Sequence, residues 1–233
     1  MPQTGQQRQP KEDLAVWLEN SIKEFCRVSP ENSLQNYANE RAWGEPLIGF
    51  SNGGDPIYVE IKQDLGSFYL TPVEIFEKSF PDTQWPANEL TVISWILPQE
   101  EAAKADNRKE TVYPSERWAR AKRYGEAFNG TLRRHVAETL NNAGFKAVAP
   151  VLAPFWSLGF FEKCGIASNW SERHAAYVSG LGTFGLCDGL ITPVGKAMRC
   201  GSVISEISIQ PTRRPYSDLH EYCLYFAKGA CRK

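Results

Sequence analysis

The sequence predicts a mixed α/β fold of the α+β kind, a central sheet flanked by helices, and three segments carry that prediction. Residues 90–97 read LTVISWIL, a nearly unbroken apolar run stopped by Pro98, which is the pattern of a strand buried on both faces. After Ser115, the residues Trp118, Ala121, Gly125, Phe128, Leu132, Val136, Leu140 and Ala143 recur every three or four positions, the period of a long helix, and Gly144 supplies its terminator. Residues 146–152 (KAVAPVL) then return as a second buried strand. Strand, helix and strand in this order predict a right-handed crossover within one domain.

The remaining elements follow along the chain. Residues 1–10 are polar and Gln-rich and read as a disordered tail. Residues 11–28 place Leu14, Trp17, Leu18, Ile22 and Phe25 on one stripe, so an amphipathic helix is expected. Residues 51–56 (SNGGDP) form a turn cluster, and Thr71-Pro72 supply an N-cap and first-turn proline for a short helix through Lys78. Residues 99–110 are polar and read as a surface loop. Ser171 caps a helix starting at Glu172, and Gly180 ends it. Residues 191–195 are a turn, and residues 198–209 alternate as a strand joining a sheet.

Composition narrows the class. With 233 residues, 42% hydrophobic and 23% charged, the chain buries a real core, and a net charge of −1 gives no global field for nucleic acid or anionic membrane. No apolar run reaches the ~20 residues of a membrane helix. The polar start carries no secretory signal, which implies a cytoplasmic protein with reduced thiols. Of the six cysteines, Cys26, Cys164, Cys187 and Cys200 read mostly as small apolar packing residues, while Cys223 and Cys231 stand apart.

Gly180, Gly182 and Gly185 have G-x-G-x-x-G spacing, but they follow a helix instead of a strand, so the dinucleotide reading fails its structural context. Taken singly, these glycines serve helix termination and tight turns; together they make a loop where backbone can approach a ligand.

Residues 170–205 (WSERHAAYVSGLGTFGLCDGLITPVGKAMRCGSVIS) resemble the core of the epoxyqueuosine reductase-like proteins and the related corrinoid-dependent reductive dehalogenases. The likeness runs more loosely upstream through residues 90–98 and 147–152. It implies a nitroreductase-like cobalamin-binding domain over residues 11–215, followed from residue 216 by the start of a truncated ferredoxin-like module. It also implies an oxidoreductase in the full-length form, taking a small-molecule or modified-nucleoside substrate. On this resemblance Gly182, Thr183, Phe184 and Gly185, with Arg199, Gly201 and Ser202, line the corrinoid, and Arg173 and His174 are further ligand candidates. A non-catalytic corrinoid-binding or electron-transfer module, and a flavin protein on the nitroreductase-like scaffold, are the alternatives.

Three departures accompany the resemblance. The family's proton-donating carboxylate falls on Ala127; Glu126 lies one residue earlier, about 100° around the helix, and Tyr124 is the other donor candidate. Arg117, Arg120, Lys122 and Arg123, extended by Arg133 and Arg134, make a basic run that reads first as a solvated face and second as a tRNA contact. Cys223 and Cys231 match the first two ligands of a C-x7-C-x2-C-x3-C-P motif, so [4Fe–4S] clusters are expected only in a longer form of the chain.

Overall fold

The computed structural model describes residues 11–82 and 84–231; the expected tail over residues 1–10 lies outside them. Helix α1 (Lys11–Val28) is followed by strand β1 (Leu47–Asn52), helices α2 (Pro56–Leu65) and α3 (Pro72–Ser79), and strand β2 (Thr91–Pro98). Helices α4 (Glu101–Asn107) and α5 (Glu116–Asn142) lead to the two-residue strand β3 (Ala147–Val148). A hairpin β4 (Leu158–Phe161)–β5 (Gly165–Ser168), helix α6 (Glu172–Val178), hairpin strands β6 (Thr183–Phe184) and β7 (Leu190–Ile191), strand β8 (Met198–Ser205) and helix α7 (Leu224–Lys228) complete the order.

The central sheet has the order β1-β2-β8-β3, with every paired neighbour antiparallel. Because β2 and β3 both run antiparallel to β8, they are parallel to each other, and α5 connects them across it. Helices cover both faces. Leu18 and Ile22 of α1 and Phe128, Leu132 and Val136 of α5 pack against Ile93, Trp95, Leu97 and Val203. On the opposite face Tyr58, Ile75, Phe76, Trp170 and Val178 pack against Val92 and Ile204. This double cover is why β2 needs apolar residues at consecutive positions.

Local chemistry explains the elements that sequence periodicity predicts. Thr71 accepts a hydrogen bond from the Glu74 amide while the Glu74 carboxylate accepts from the Thr71 amide, a full capping box at α3. The Ser115 hydroxyl accepts from the Trp118 amide at the start of α5, and Gly144 follows that helix at φ +89°.

Two expectations are corrected here. Residues 99–110 contain helix α4, where the good helix formers of residues 101–104 and a Glu101–Lys104 ion pair of 2.8 Å outweigh surface polarity. Residues 146–152 are a strand only at Ala147–Val148; Pro150 lacks the amide that a ladder requires, and a 3-10 turn replaces it. No helix among the described residues is long and apolar enough to cross a membrane.

Candidate functional site

The residues singled out by sequence fall into two clusters that share α6. The first is a charge hub at the outer edge of β8. Strand β3 pairs only with Ser205 and Ile204, which leaves the stretch from Cys200 to Ser202 without a neighbouring strand on that side. Side chains take the strand's place. The Cys200 carbonyl accepts from Asn129 Nδ2 at 2.8 Å and from the Arg133 guanidinium at 3.3 Å, and the Ser202 amide donates to Glu172 Oε1 at 3.0 Å. Arg133 grips Glu172 with both arms of its fork, at 2.8 and 2.6 Å, and its side chain is only 4% exposed. Burial holds the Glu172 carboxyl above its ordinary range, against the pull of Arg133.

Glu126 sits on the hub's outer rim, 3.0 Å from Arg133 and 3.1 Å from Arg199, so each of its carboxylate oxygens faces a guanidinium. Ala127 is exposed. Tyr124 is half-buried, with the Arg123 guanidinium 5.5 Å from its ring centre. The expectation that Arg133 belongs to an exposed basic run is overturned, since it is the most buried charge of the hub. Elsewhere in that run Arg117 pairs with Glu40 and Asp106 and Arg120 pairs with Glu116, while Lys122, Arg123 and Arg134 are exposed.

The second cluster is the β6–β7 hairpin and the segment that covers it. Residues 216–223 cross the hairpin like a strap. The Gly182 amide donates to the Tyr216 hydroxyl at 3.5 Å, and the Tyr222 amide donates to Thr183 Oγ1 at 2.9 Å. The Phe184 amide donates to the Leu219 carbonyl, and the Phe184 carbonyl is 2.9 Å from His220 Nδ1. At the strap's end Cys223 is buried. Burial raises its thiol, but amides of Phe226, Leu186 and Tyr225 outweigh it and hold the thiol below its ordinary value. Cys231 is exposed, and both are free thiols. Among the described residues no group of three or more His, Cys, Asp or Glu side chains is arranged to hold a metal ion.

His174 links the clusters. Its Nδ1 is 2.7 Å from Ser171 Oγ, and its ring lies 4.7 Å from Phe184 and 6.2 Å from Tyr69. Burial, then the neighbouring Arg173, pulls its imidazole down to about 4. Arg173 is exposed and donates to the Asp188 carbonyl in the hairpin loop.

Glycine does a different job at each predicted position. A Cβ on Gly182 would stand 2.3 Å from the Ile191 carbonyl oxygen, so closure of the hairpin itself requires glycine there. A Cβ on Gly201 would stand 2.2 Å from the Trp95 indole, which lies over it and donates Nε1 to Asn129 Oδ1 at 3.0 Å. At Gly185 the nearest atom is the flexible Ile191 Cδ1, at 3.1 Å. Ser202 is fully buried and its hydroxyl accepts from Trp170 Nε1 at 3.0 Å.

No family model matches the chain, and no curated protein matches it. Among solved structures the chain is similar to a selenomethionine-labelled epoxyqueuosine reductase (13% identity, 92% of this chain, 51% of that chain, TM-score 0.49). It is also similar to epoxyqueuosine reductase from Streptococcus thermophilus (16% identity, 94% and 50% covered, TM-score 0.45). A third similar structure is an epoxyqueuosine reductase with an epoxyqueuosine-modified tRNA-Tyr stem loop (12% identity, 90% and 50% covered, TM-score 0.44). The chain spans about half the length of these structures.

Sequence reasoning missed Asn129 and the buried role of Arg133, and it missed Glu172 and His220 as site residues. One signal was available for the first two: Asn129 and Arg133 occupy the apolar stripe of α5 together with Leu132, Val136 and Leu140, and polar residues on a buried stripe call for buried partners. Nothing in the local sequence indicates which partners those are.

Proposed function

We propose that this chain is the corrinoid-binding part of a reductase that uses cobalamin and iron–sulfur clusters and resembles epoxyqueuosine reductase. The observation that carries the reading is the strap. It sets Cys223, which matches a cluster ligand in the resemblance, on the same hairpin that the resemblance assigns to the corrinoid. The Leu186 amide of that hairpin loop reaches the Cys223 sulfur, and the Tyr222 amide reaches Thr183. A cluster ligated at Cys223 would be linked to the cofactor loop through these hydrogen bonds.

The residues fit a corrinoid at the rim and not in the interior. Gly182, Gly201, Thr183 and Ser202 are occupied by protein contacts, so their role is to shape the hairpin and β8. Arg173 and Arg199 are at least partly exposed and carry donors suited to a ring edged with amides. When bound, the cobalt supplies the electron-transfer chemistry. Arg173 and Arg199 would bind and orient the ring's edge, while His174 and Phe184 pack behind them and hold the hairpin against α6.

A second reading, a non-catalytic corrinoid carrier, is favoured by one observation. Ala127 puts a methyl group where the family has its donor, and Glu126 spends both oxygens on guanidinium groups. A positioned acid contributes typically ~10²–10⁴-fold to a proton-requiring step.

Anaerobic titration with cob(II)alamin tests binding. The expected result is a changed EPR spectrum and a raised melting temperature, since ligand at ~100 times its Kd stabilises by about 2.7 kcal/mol. An unchanged spectrum and melting temperature at millimolar cobalamin overturns the corrinoid reading. Flavin absorbance in the purified protein would favour the nitroreductase-like alternative.

A further inference from the structure

A groove of about 360 Å³ lies between α4, the first turn of α5 and the turn that leads into β8, and the reading above does not use it. Lys104, Arg108 and Lys196 contribute three cations to its wall, Asn107 an amide and Trp118 an indole; no carboxylate lines it. The cations are incompletely neutralised. Lys104 and Arg108 share the single carboxylate of Glu101, at 2.8 and 3.3 Å, and the Lys196 ammonium contacts the Cys187 sulfur at 2.8 Å. Gly195, at φ +91°, leaves open space where a side chain would stand, so the turn exposes backbone to the groove. The half-buried Trp118 sits in the first turn of a 27-residue helix, where the aligned peptide dipoles favour negative charge.

We infer that this groove binds a phosphate ester carried on a planar ring, the chemistry of a nucleoside monophosphate. Lys104, Arg108 and Lys196 take the phosphate, and the ring stacks on Trp118. Three cations and one indole lining the same groove match that ligand on both counts: the phosphate needs several donors of like sign, and a base has a π-face for the indole. A bare anion leaves the indole unused, and an apolar ligand leaves the cations unpaired.

The test is calorimetric titration of the full chain with AMP, ribose 5-phosphate and adenosine, in the absence of any corrinoid. Its outcome is therefore separable from that of the cobalamin experiment. AMP is expected to bind with a Kd between about 10 μM and 1 mM, at least roughly fivefold tighter than ribose 5-phosphate. Arg108→Gln and Lys196→Gln each weaken AMP roughly tenfold with an unchanged urea midpoint, because both side chains are exposed. Absence of binding at 10-fold above the upper limit, or binding indifferent to both substitutions, overturns the proposal. Equal affinity for AMP and ribose 5-phosphate removes the ring from it. That comparison uses the unaltered chain, so it stands whatever a substitution at Trp118 does to folding. Binding of an RNA oligonucleotide without binding of AMP also overturns it, in favour of a polyanion surface.

Discussion

The hub at the edge of β8 and the strap-covered hairpin solve the same problem with different chemistry. Each has a strand whose backbone groups lack a full-length neighbour on one side. At β8 the missing neighbour is replaced by charged and amide side chains from α5 and α6, gathered across 39 residues of sequence between Arg133 and Glu172. At β6 it is replaced by backbone and hydroxyl groups of residues 216–222, and glycine permits the close approach. Charged side chains make the stronger contacts, but each loses heavily when its partner is removed. Backbone-to-backbone contacts are individually weaker, and water can replace them at lower cost.

The comparison breaks most visibly at Arg133. Arg133→Met leaves Glu172 buried without its counter-ion, and the expected loss is about 3–5 kcal/mol in urea-induced unfolding. Adding Glu172→Leu should recover much of it. A double variant as unstable as the single would mean that the pair is not the edge's main support.

His174, between the two regions, gives the next effect. Its imidazole is lowered from an ordinary 6.5 to about 4, so the folded state favours the neutral ring. The stability it contributes is fully present above pH 6.5 and is lost as pH falls from 6.5 towards 4, reaching about 3 kcal/mol. Unfolding free energies of the native chain and His174→Gln, compared from pH 7 to pH 4, should converge as the pH drops. Parallel curves would show that the ring is solvated.

The hairpin's glycines sharpen the contrast within one loop. Gly182→Ala drives a methyl group into a backbone carbonyl, with an expected loss of about 1–3 kcal/mol, whereas Gly185→Ala meets only the end of the Ile191 side chain and should cost less. Equal midpoints for the two variants would show that the hairpin relaxes freely. The smallest effect belongs to the strap: Thr183→Val removes the acceptor of the Tyr222 amide, costing about 1 kcal/mol and speeding hydrogen exchange at that amide. Unchanged exchange would mean that the strap is held from elsewhere.

The elements were legible wherever a short-range rule governs them. The stripe of residues 11–28, the cap at Thr71, the long helix from Ser115 to Gly144 and the cap at Ser171 all coincide with observed boundaries. Strand β1 and helix α2 were missed, although Asp55 and Pro56 carry the N-cap and N1 signals of α2, because the turn signal of residues 51–56 was read alone. The candidate site was legible as a segment but not as a set of contacts. Gly182 and Gly201 stand out as glycines; that one accommodates Ile191 and the other Trp95 follows from the register of strands distant in sequence.

By itself, then, the amino-acid order determined the class of fold, the helix caps and the strand buried on both faces, because hydrophobic period and capping chemistry act within a few residues of one another. Only the tertiary structure decided that Arg133 belongs to Glu172 and not to solvent, that the hairpin lies beneath residues 216–222, and that three cations line one groove with Trp118. Such pairings depend on which backbone groups the sheet leaves unpaired. That, in turn, depends on β3 ending after two residues and on where α5 and α6 place their side chains against the exposed edge.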